Sequence, residues 1–262
     1  MNNEIRPSSW KNLIEILYDI PKDPTINRYR SNFGYRGLAN SKWKLETSLV
    51  RLGGSYEKVE GPLLRSFVKY AESNSLPSDN VWELLAIAQH HGLPTRLLDW
   101  TVSPQVALHF ATAELEHYDE DGVIWCVDIN AARQHLPKDF QDILAREYAY
   151  LFSVEMLDFI KSLKDFDTQY PGDNFILFLQ PPSLDARIVN QAAVLSVMPD
   201  PSMHISDYLD QNPGLYKRII IPKELKWEIR DKLDQDNITE RSLFPGLDGL
   251  SRWLKRYYGA GP

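Results

Sequence analysis

Hydrophobic and polar residues alternate along this chain in two patterns, which predict a mixture of helices and strands. Apolar residues at three- and four-residue spacing predict amphipathic helices, and this spacing occurs in segments 9–17, 61–72, 81–88, 103–113, 225–233 and 247–254. Runs that combine apolar and β-branched residues predict strands, and we predict strands in segments 95–101, 122–129, 174–180, 187–198 and 217–221. Because the two kinds of segment interleave, we predict an α+β fold.

Polar residues mark where several of the predicted helices begin. Ser9, Asn80 and Ser103 each precede an apolar helical pattern, and their side chains can accept hydrogen bonds from the N–H groups of a first turn. Pro104 suits the first helical position because its missing N–H has no partner there. Gly92 follows the pattern that starts after Asn80 and predicts the end of that helix.

Two longer segments determine the domain organisation that we predict. Apolar residues recur at mixed three- and four-residue spacing over 138–166, which we interpret as a helical insertion that packs on the rest of the domain. The run 174–180 is almost wholly apolar, so we expect it to be a central strand of the sheet. We therefore predict an N-terminal helical segment over 1–29 and one domain over 30–262 that includes the insertion.

Composition indicates an ordinary globular protein. The 262 residues are 43% hydrophobic and 25% charged, which suits a chain with a substantial core. A formal net charge of −7 argues against indiscriminate binding of polyanions and leaves room for a local basic groove. The sequence has no apolar N-terminal leader and no apolar run long enough to span a bilayer, so we expect a cytoplasmic protein.

The single cysteine limits the covalent and metal chemistry of the chain. Cys126 excludes an internal disulfide framework and a cysteine-rich zinc site, and it suits a reducing compartment. It lies within the predicted strand 122–129, so we expect a buried and inert thiol. His90, His91 and Asp99 lack further ligands at metal spacing, and we predict no metal site. We expect His109 to be exposed on its helix.

Hydrogen-bonding side chains are most concentrated between Gln89 and Pro104. This stretch contains two histidines, an arginine, an aspartate, two threonines and a serine around an apolar Leu pair. The predicted strand 95–101 carries its polar residues at both ends, which favours a pocket wall built where helix, strand and helix meet. The alternative is that Asp99 and Ser103 only cap helices and close turns.

A second cluster, Asn32–Leu38, surrounds one arginine with aromatic and glycine residues. We expect a strand whose backbone approaches another group closely and from which the Arg36 guanidinium projects. A guanidinium is a planar fork that suits carboxylate or phosphate oxygens. The alternative is an ion pair between Arg36 and a buried carboxylate of the protein itself.

Together these two clusters and three other motifs resemble the FRG-domain family, named for an aromatic-Arg-Gly motif. The motifs are Tyr35-Arg36-Gly37, Thr47–Arg51, Gln89–Pro104, Arg187–Gln191 and Leu243–Leu250, and the resemblance covers roughly residues 30 to 255. The order of the motifs is similar to that of ADP-ribosyltransferases, which are enzymes of the glycosyltransferase class. The resemblance implies a mixed or antiparallel sheet core of ADP-ribosyltransferase-like type, with surrounding helices.

The resemblance also implies roles for individual residues. Arg36 would hold the nicotinamide or diphosphate side of NAD as a co-substrate, and Gln191 would occupy the late catalytic position. The segment 95–103 would support the nicotinamide ribose. The NAD-binding residues that we predict are Tyr35, Arg36, Gly37, His90, Thr95, Arg96, Asp99, Thr101 and Ser103.

Gln191 departs from the pattern of many such transferases, which carry glutamate at this position. A glutamine can hydrogen-bond a ribose hydroxyl, but it cannot act as a general base. Either another acid supplies that role, or the site binds its ligand without turnover. Asp99, Glu46 and Asp185 are the candidate acids, and the sequence does not choose among them.

An NAD-type ligand is also reasonable on chemical grounds. Cleavage of the nicotinamide–ribose bond develops positive charge on the sugar, as glycoside cleavage does, and it needs a clamp for the base, a cation for the diphosphate and hydroxyl anchors for the ribose. Tyr35, Arg36 and the Thr/Ser strand supply these residue types. The sequence contains neither the glycine-rich fingerprint of a Rossmann site nor a P-loop.

These observations lead to two hypotheses from different classes. The first is an NAD-dependent ADP-ribosyltransferase-like enzyme, of the kind used as a bacterial toxin or antiviral defence effector, that modifies nucleic acid or protein and is restrained by an inhibitory antitoxin or regulatory protein. The second is a non-catalytic module that binds a nucleotide or ADP-ribose. We interpret Lys255–Tyr258 as the solvated end of a helix, with an RNA contact as the alternative.

Overall fold

A mixed seven-stranded sheet forms the centre of the protein in a computed structural model that describes residues 3–71, 80–170, 172 and 174–259. The strand order is β1-β9-β6-β4-β5-β8-β7. The first pair is parallel and the other pairs are antiparallel. The strands are β1 Glu4–Ile5, β2 Lys22–Asp23, β3 Arg28–Tyr29, β4 Phe33–Leu38, β5 Leu98–Thr101, β6 Gly122–Asp128, β7 Leu177–Leu179, β8 Ala193–Val197 and β9 Tyr216–Ile221.

Helices lie between most of these strands, so the predicted α+β class is confirmed. The α-helices are α1 Trp10–Tyr18, α2 Tyr56–Tyr70, α3 Val81–His90, α4 Pro104–Thr112, α5 Ile129–Arg133, α6 Lys138–Arg146, α7 Leu163–Gln169, α8 Ala186–Asn190, α9 Ile205–Gln211, α10 Lys226–Gln235, α11 Glu240–Leu243 and α12 Leu247–Tyr257. Short 3-10 turns are Val50–Leu52, Leu115–His117, Glu155–Leu157, Pro213–Leu215 and Lys223–Leu225. Strands β2 and β3 form a separate two-stranded sheet.

Both faces of the sheet are covered, which explains why β6 is apolar at consecutive positions. Successive side chains of a strand point to opposite faces. Ile124 therefore packs with residues of α1, α4 and α10, whereas Trp125 packs with residues of α5 and α9. A third apolar cluster joins α3, α6 and α7 to the end of the sheet that holds β7 and β8.

The N-terminal segment is part of this assembly. Glu4 and Ile5 pair with Arg218 and Ile219 of β9, and α1 buries Leu13 in the cluster beneath the sheet. Residues 3–29 therefore contribute β1 and α1 to the same core as the rest of the chain.

The three predicted helix starts are confirmed by hydrogen bonds. Ser9 accepts from the backbone N–H of Asn12 at 3.2 Å, and Asn80 accepts from those of Trp82 and Glu83. Ser103 accepts from the N–H of Val106 at 3.4 Å. A capping residue followed by apolar residues at helical spacing thus correctly predicted the starts of α1, α3 and α4.

The predicted continuous helical stretch over 138–166 is wrong. Helix α6 ends in a Glu147 cap, and Tyr148 then adopts a positive φ of 50°. The chain next extends so that Phe152 forms a bridge with Leu179 of β7, and a helix resumes at α7. Most apolar residues of the segment reach the core, from two short helices, a 3-10 turn and an extended piece. Tyr148 and Phe159 remain exposed.

The predicted strand over 187–198 is also wrong in its first half. Asp185 accepts hydrogen bonds from the backbone N–H groups of Arg187 and Ile188, and this cap starts the short helix α8. Ala192 has a positive φ of 45°, which turns the chain into β8. Gln191 consequently caps the end of α8 rather than lying in a strand.

We predicted a central strand for 174–180, but strand β7 lies at the edge of the sheet. It pairs with β8 on one side. On the other side, the backbone of Phe152 donates to Phe178 and accepts from Gln180. This extended segment covers the free edge, and all three residues of β7 are buried. The sequence of β7 therefore has the continuous apolar pattern of a central strand.

Cys126 is a free, buried thiol, as predicted, and burial raises its pKa to about 12. No helix among the described residues is both long and apolar enough to cross a bilayer.

Candidate functional site

A cavity opens where β4 and β5 separate. The register joins Tyr35 of β4 to Thr101 of β5, and the two strands form no further ladder pair. Beside this point lies a cavity of about 320 Å³, within the range of small-molecule sites. Its walls come from β4, β5, β8, α3, α4 and the connection that contains α8.

Cations, carboxylates and aromatic rings all line this cavity. The cations are Arg36, Arg51 and Arg187, with His90 beside them; the carboxylates are Asp99 and Glu114; the aromatic residues are Tyr35, Trp43, Trp100 and Phe110. Gly37, Gln89, Thr101 and Gln191 complete the part of the lining that bears on the predicted site. Of the residues predicted from the sequence, Thr95, Arg96 and Ser103 lie outside it.

Arg36 reaches across the gap between the two strands. Its Nη1 donates to the backbone carbonyl of Asp99 at 2.6 Å, an acceptor that faces β4 where the ladder has ended. Its Nε is buried and has no hydrogen-bond partner. An unpaired buried donor is unfavourable in the absence of a ligand, so the guanidinium has capacity to bind an anion.

No carboxylate in the described ranges forms an ion pair with Arg36, Arg51 or Arg187. Burial lowers the pKa of Arg36 from its ordinary value; the charge of Asp99 opposes this shift and that of Arg51 adds to it. A guanidinium remains protonated through such shifts. Three guanidinium groups without an ion-pair partner therefore line the cavity, beside the carboxylates of Asp99 and Glu114. The alternative that Arg36 forms a structural ion pair is not supported.

Asp99 is held in place by Gln89. The Gln89 Nε2 donates to Asp99 Oδ2 at 3.0 Å, and the Thr95 hydroxyl donates to Gln89 Oε1. The backbone N–H of Leu97 donates in turn to the Thr95 hydroxyl at 3.2 Å. This chain of hydrogen bonds fixes the orientation of the Asp99 carboxylate, whose side chain is exposed toward the cavity.

His90 forms a second fixed pair at the edge of the cavity. Its Nε2 lies 2.9 Å from Asp185 Oδ2. Burial would raise the pKa of Asp185, but the N–H of Ile188 and the contact with His90 together hold it below its usual value. Asp185 is therefore occupied by a helix cap and by His90, and it has less freedom than Asp99 to act on a ligand.

Gln191 and Thr101 are joined to each other and to the C-terminal region. The Thr101 hydroxyl donates to the backbone carbonyl of Gln191 at 2.7 Å and accepts from the N–H of Ser103. The Gln191 Nε2 donates to the backbone carbonyl of Leu243 at 3.0 Å. These bonds place Gln191 at the cavity wall, just before β8, and β8 is two strands away from the Arg36 strand β4 in the sheet order.

Arg96 and Ser103 have structural partners, which corrects their prediction as cofactor-binding residues. The Arg96 Nε donates to Glu60 at 2.6 Å, and its remaining nitrogens contact Asp167 and the carbonyl of Pro199. Arg96 is buried among these groups. Ser103 caps α4, which agrees with the alternative that it only caps a helix. Thr95 is fully buried and contacts the cavity only through its hydrogen bond to Gln89.

Tyr35 and Gly37 serve the packing of the sheet more than the cavity. The Tyr35 ring belongs to the apolar cluster beneath β4, and its hydroxyl hydrogen-bonds Ser31 at 2.8 Å, so it cannot clamp a base from above. A Cβ on Gly37 would lie 1.9 Å from the carbonyl oxygen of Ala107. The close approach expected at this glycine is therefore made by α4.

The expectation that His109 is exposed is wrong. Its ring is fully buried, and Arg230 Nη1 donates to its Nδ1 at 2.9 Å. Burial and the Arg230 charge lower the pKa of His109 to about 3. Helix α4 packs against the sheet on one side and against α10 on the other. The prediction of an exposed His109 treated α4 as a helix with one buried face.

Several charged and aromatic residues of the lining were not assigned to the site from the sequence. Arg51 and Arg187 lie within motifs that carried the family resemblance, but no role was given to them. Trp43, Phe110 and Glu114 lie in connections or on a helix face, and the spacing of apolar residues in the sequence does not predict which way these side chains point.

Three side chains outside the predicted site, Glu114, Glu116 and His117, have ligand atoms within 4.8 Å of one another, although both glutamates are exposed. Such exposed groups often lie together without an ion.

Comparison with known families agrees with the motifs around this cavity. The FRG domain model matches residues 31–120, which include Arg36, Gln89 and Asp99. The connection with Arg187 and Gln191 lies outside the match. No solved structure matches the chain significantly. The match supports the FRG domain family for residues 31–120, the segment that builds most of the cavity wall.

Proposed function

We propose that the protein is an NAD-consuming ADP-ribosyltransferase-like enzyme whose active site is the cavity between β4 and β5. The observation that carries this proposal is the arrangement of Arg36 and Asp99. An arginine without an ion-pair partner and an oriented carboxylate line the same cavity. The proposal extends to the fold, whose sheet we interpret as ADP-ribosyltransferase-like.

The lining suits the parts of NAD. Arg36, Arg51 and Arg187 offer guanidinium donors for the two phosphates. The buried and unpartnered Nε of Arg36 is the kind of donor that such an anion would satisfy. Trp43 and Phe110 provide aromatic surface for a base ring. Gln191 supplies an amide for a ribose hydroxyl.

Because Gln191 cannot act as a general base, another side chain must supply that role, and we assign it to Asp99. In transfer, the bond between C1′ of the ribose and the nicotinamide nitrogen breaks and its electron pair leaves with nicotinamide. The acceptor oxygen or nitrogen bonds to C1′ and releases its proton, which the Asp99 carboxylate can take. A negative charge there also stabilises the positive charge that develops on the sugar.

The structure favours Asp99 over the other two candidate acids. Glu46 is not part of the cavity lining, and Asp185 is bound to His90 and to the N-terminus of α8. Asp99 receives one amide from Gln89 and keeps acceptor capacity for a ligand. Gln89 is then a positioning residue, since it acts through Asp99.

In a cell, the proposed activity would consume NAD or mark essential molecules. We therefore propose a toxin or antiviral defence role with a restraining partner protein that covers the cavity. Growth arrest on expression of the chain alone, relieved by Asp99→Asn, is the expected phenotype.

The test is incubation of purified protein with NAD labelled in the adenylate part, together with RNA, DNA and lysate protein. We expect transfer of label by the wild type and its loss in Asp99→Asn and Arg36→Ala. Asp19→Asn is the matched control, because Asp19 is exposed and lies outside the cavity. Transfer by Asp99→Asn at the wild-type rate would refute the role of this carboxylate.

A non-catalytic module that binds a nucleotide or ADP-ribose is the second candidate. Its support is Gln191, whose amide donates to the backbone of Leu243 and brings no charge to the late position. Calorimetry with NAD and ADP-ribose separates the two functions. Binding of either ligand that needs Arg36, without release of nicotinamide, would favour the module.

A further inference from the structure

A cluster of arginine and aromatic side chains lies next to the cavity mouth. We call Arg187, Arg241, Phe244, Arg252 and Trp253 the arginine–aromatic patch. The three arginines are exposed and the two rings are partly exposed. The patch combines α8 with α11, α12 and the turn between them, all of which lie outside the region matched by the FRG domain model.

Two guanidinium groups of the patch converge on one ring. The Cζ atoms of Arg187 and Arg252 lie 5.1 Å and 4.4 Å from the centroid of Phe244. They are therefore at most 9.5 Å apart, the sum of those two distances. No described carboxylate forms an ion pair with either group. Two like charges at this separation repel each other, and a polyanion would relieve that repulsion.

Two acidic residues on the helices beside the patch are already paired with another arginine. Glu240 and Asp234 both bind Arg256, at 2.8 Å and 2.6 Å. Asp248 offers its backbone carbonyl to Arg252 at 3.3 Å. In a chain with a net charge of −7, this leaves the patch as a local positive surface, which focuses an anionic ligand on one region.

Beside the patch, Tyr257 offers an exposed ring for stacking. Arg241 lies 4.7 Å from the centroid of Trp253, and the Trp253 ring lies 5.0 Å from that of Tyr257, which is 57% exposed. Cations alternating with aromatic rings bind single-stranded nucleic acid, because phosphates meet the cations and unstacked bases meet the rings.

The patch is continuous with the cavity. Arg187 belongs to both, and Phe110 in the cavity wall lies 6.1 Å from Phe244, ring to ring. Gln191 in the same wall is bonded to Leu243, which adjoins Phe244. A strand bound on the patch would therefore present a nucleotide at the cavity mouth.

The geometry points to single-stranded nucleic acid as the acceptor of the ADP-ribosyl group, bound along the arginine–aromatic patch. This inference rests on the proposed function. It adds the class of the acceptor and the surface that holds it. The nucleotide at the mouth supplies the oxygen or nitrogen that bonds to C1′, nicotinamide leaves with the electron pair, and the released proton passes to Asp99.

The binding test uses the full chain and labelled 12-nucleotide single strands of RNA and of DNA, measured by fluorescence anisotropy at several salt concentrations. Arg252→Gln and Arg241→Gln are the test variants, since neither residue lines the cavity. We expect each to reduce the slope of log K against log salt by about 1. Tyr257→Leu should weaken binding roughly tenfold through lost stacking. Arg28→Gln, an exposed arginine of the small two-stranded sheet, is the control.

Activity in the same variants separates this inference from the proposed function. Without oligonucleotide, where water is the acceptor, we expect Arg252→Gln to release nicotinamide from NAD like the wild type. With oligonucleotide present, the same variant should label it at least fivefold less than the wild type does. If the wild type labels protein and does not bind the oligonucleotides, the inference is overturned and the proposed function stands. If the oligonucleotides bind through the patch but NAD is never consumed, the acceptor role is overturned together with the proposed function.

Discussion

Arg36 and Arg96 belong to the two motif regions that define this chain, yet their surroundings are opposite. Arg96 is buried and its guanidinium contacts two carboxylates and a backbone carbonyl. Arg36 donates to one backbone carbonyl, and its Nε has no partner. The first arginine is consumed by the fold, and the second is available to a ligand.

Arg256 repeats the arrangement of Arg96 among the C-terminal helices. It binds Glu240 and Asp234 with four hydrogen bonds of 2.6 to 2.9 Å and ties α12 to α10 and α11. The paired arginines connect elements that are distant in sequence. The arginines of the cavity and of the arginine–aromatic patch connect little, which is why we assign them to binding.

The largest effect that tests this comparison is on stability. Arg96→Met leaves the Glu60 carboxylate, which is 2% exposed, without its ion-pair partner, although the backbone N–H of residue 96 still donates to it. Removing one member of a buried pair destabilises by about 3 to 5 kcal/mol. We expect a loss of this size in the free energy of unfolding, measured by urea denaturation, whereas Arg36→Met should lose about 1 kcal/mol.

A double variant sharpens this prediction. Adding Glu60→Leu to Arg96→Met removes the uncompensated charge, so part of the lost stability should return. Equal losses for Arg96→Met and Arg36→Met would show that the two arginines do not differ in the way described.

The second effect is acid sensitivity of the paired region. Burial and Arg230 lower the pKa of His109 to about 3 from an ordinary 6.5, so the unfolded chain binds more protons than the folded one between those values. Stability is therefore full above pH 6.5 and falls as the pH drops, by about 1.4 kcal/mol per pH unit and about 3 kcal/mol by pH 4.

Glu240 adds to the same loss at lower pH. Burial would raise its pKa, but Arg256 and Arg230 outweigh burial and lower it to about 2 from 4.5. This contribution is present above pH 4.5 and is lost as the pH falls toward 2.

The test of the His109 contribution is the free energy of unfolding of His109→Gln measured against pH. This free energy should change less between pH 6.5 and 4.5 than that of the wild type. An unchanged profile would remove His109 from this account, and exposed His135→Gln serves as the control.

The third effect is on ligand binding at Arg36. Charge-assisted hydrogen bonds contribute roughly 1.5 to 3 kcal/mol, so Arg36→Ala should weaken NAD binding about ten- to hundredfold in calorimetry. Arg36→Lys should fail as well, since an ammonium does not reproduce the fork. The melting temperature should change by no more than a few degrees. Wild-type affinity in Arg36→Lys would argue that a point charge is sufficient at this position.

Local signals in the sequence predicted much of the fold. Capping residues and apolar spacing located α1, α3, α4 and β6, because these features depend on neighbouring residues. The failures came from partners that are distant in the chain. The edge strand β7 resembles a central strand since Phe152 covers it, and His109 is buried since α10 packs on α4.

The candidate site was predictable in its composition and less so in its geometry. The motifs pointed to Arg36, Asp99, Thr101 and Gln191, which the structure brings to one cavity. They could not show that Arg96 meets Glu60 and Asp167, because those carboxylates lie in other helices. Whether an arginine serves the fold or a ligand is decided by such long-range partners.

Ser103 provides the smallest and most selective test of this distinction. It lies in the same motif as Asp99, but its side chain accepts from the N–H of Val106 and caps α4. Ser103→Ala should therefore lower the free energy of unfolding by about 1 kcal/mol, the usual contribution of a helix cap, and leave NAD affinity at the wild-type value. Ser103→Asp keeps an acceptor at the cap and should restore the stability. A variant that binds NAD poorly while remaining as stable as the wild type would place Ser103 at the ligand and extend the cavity along β5.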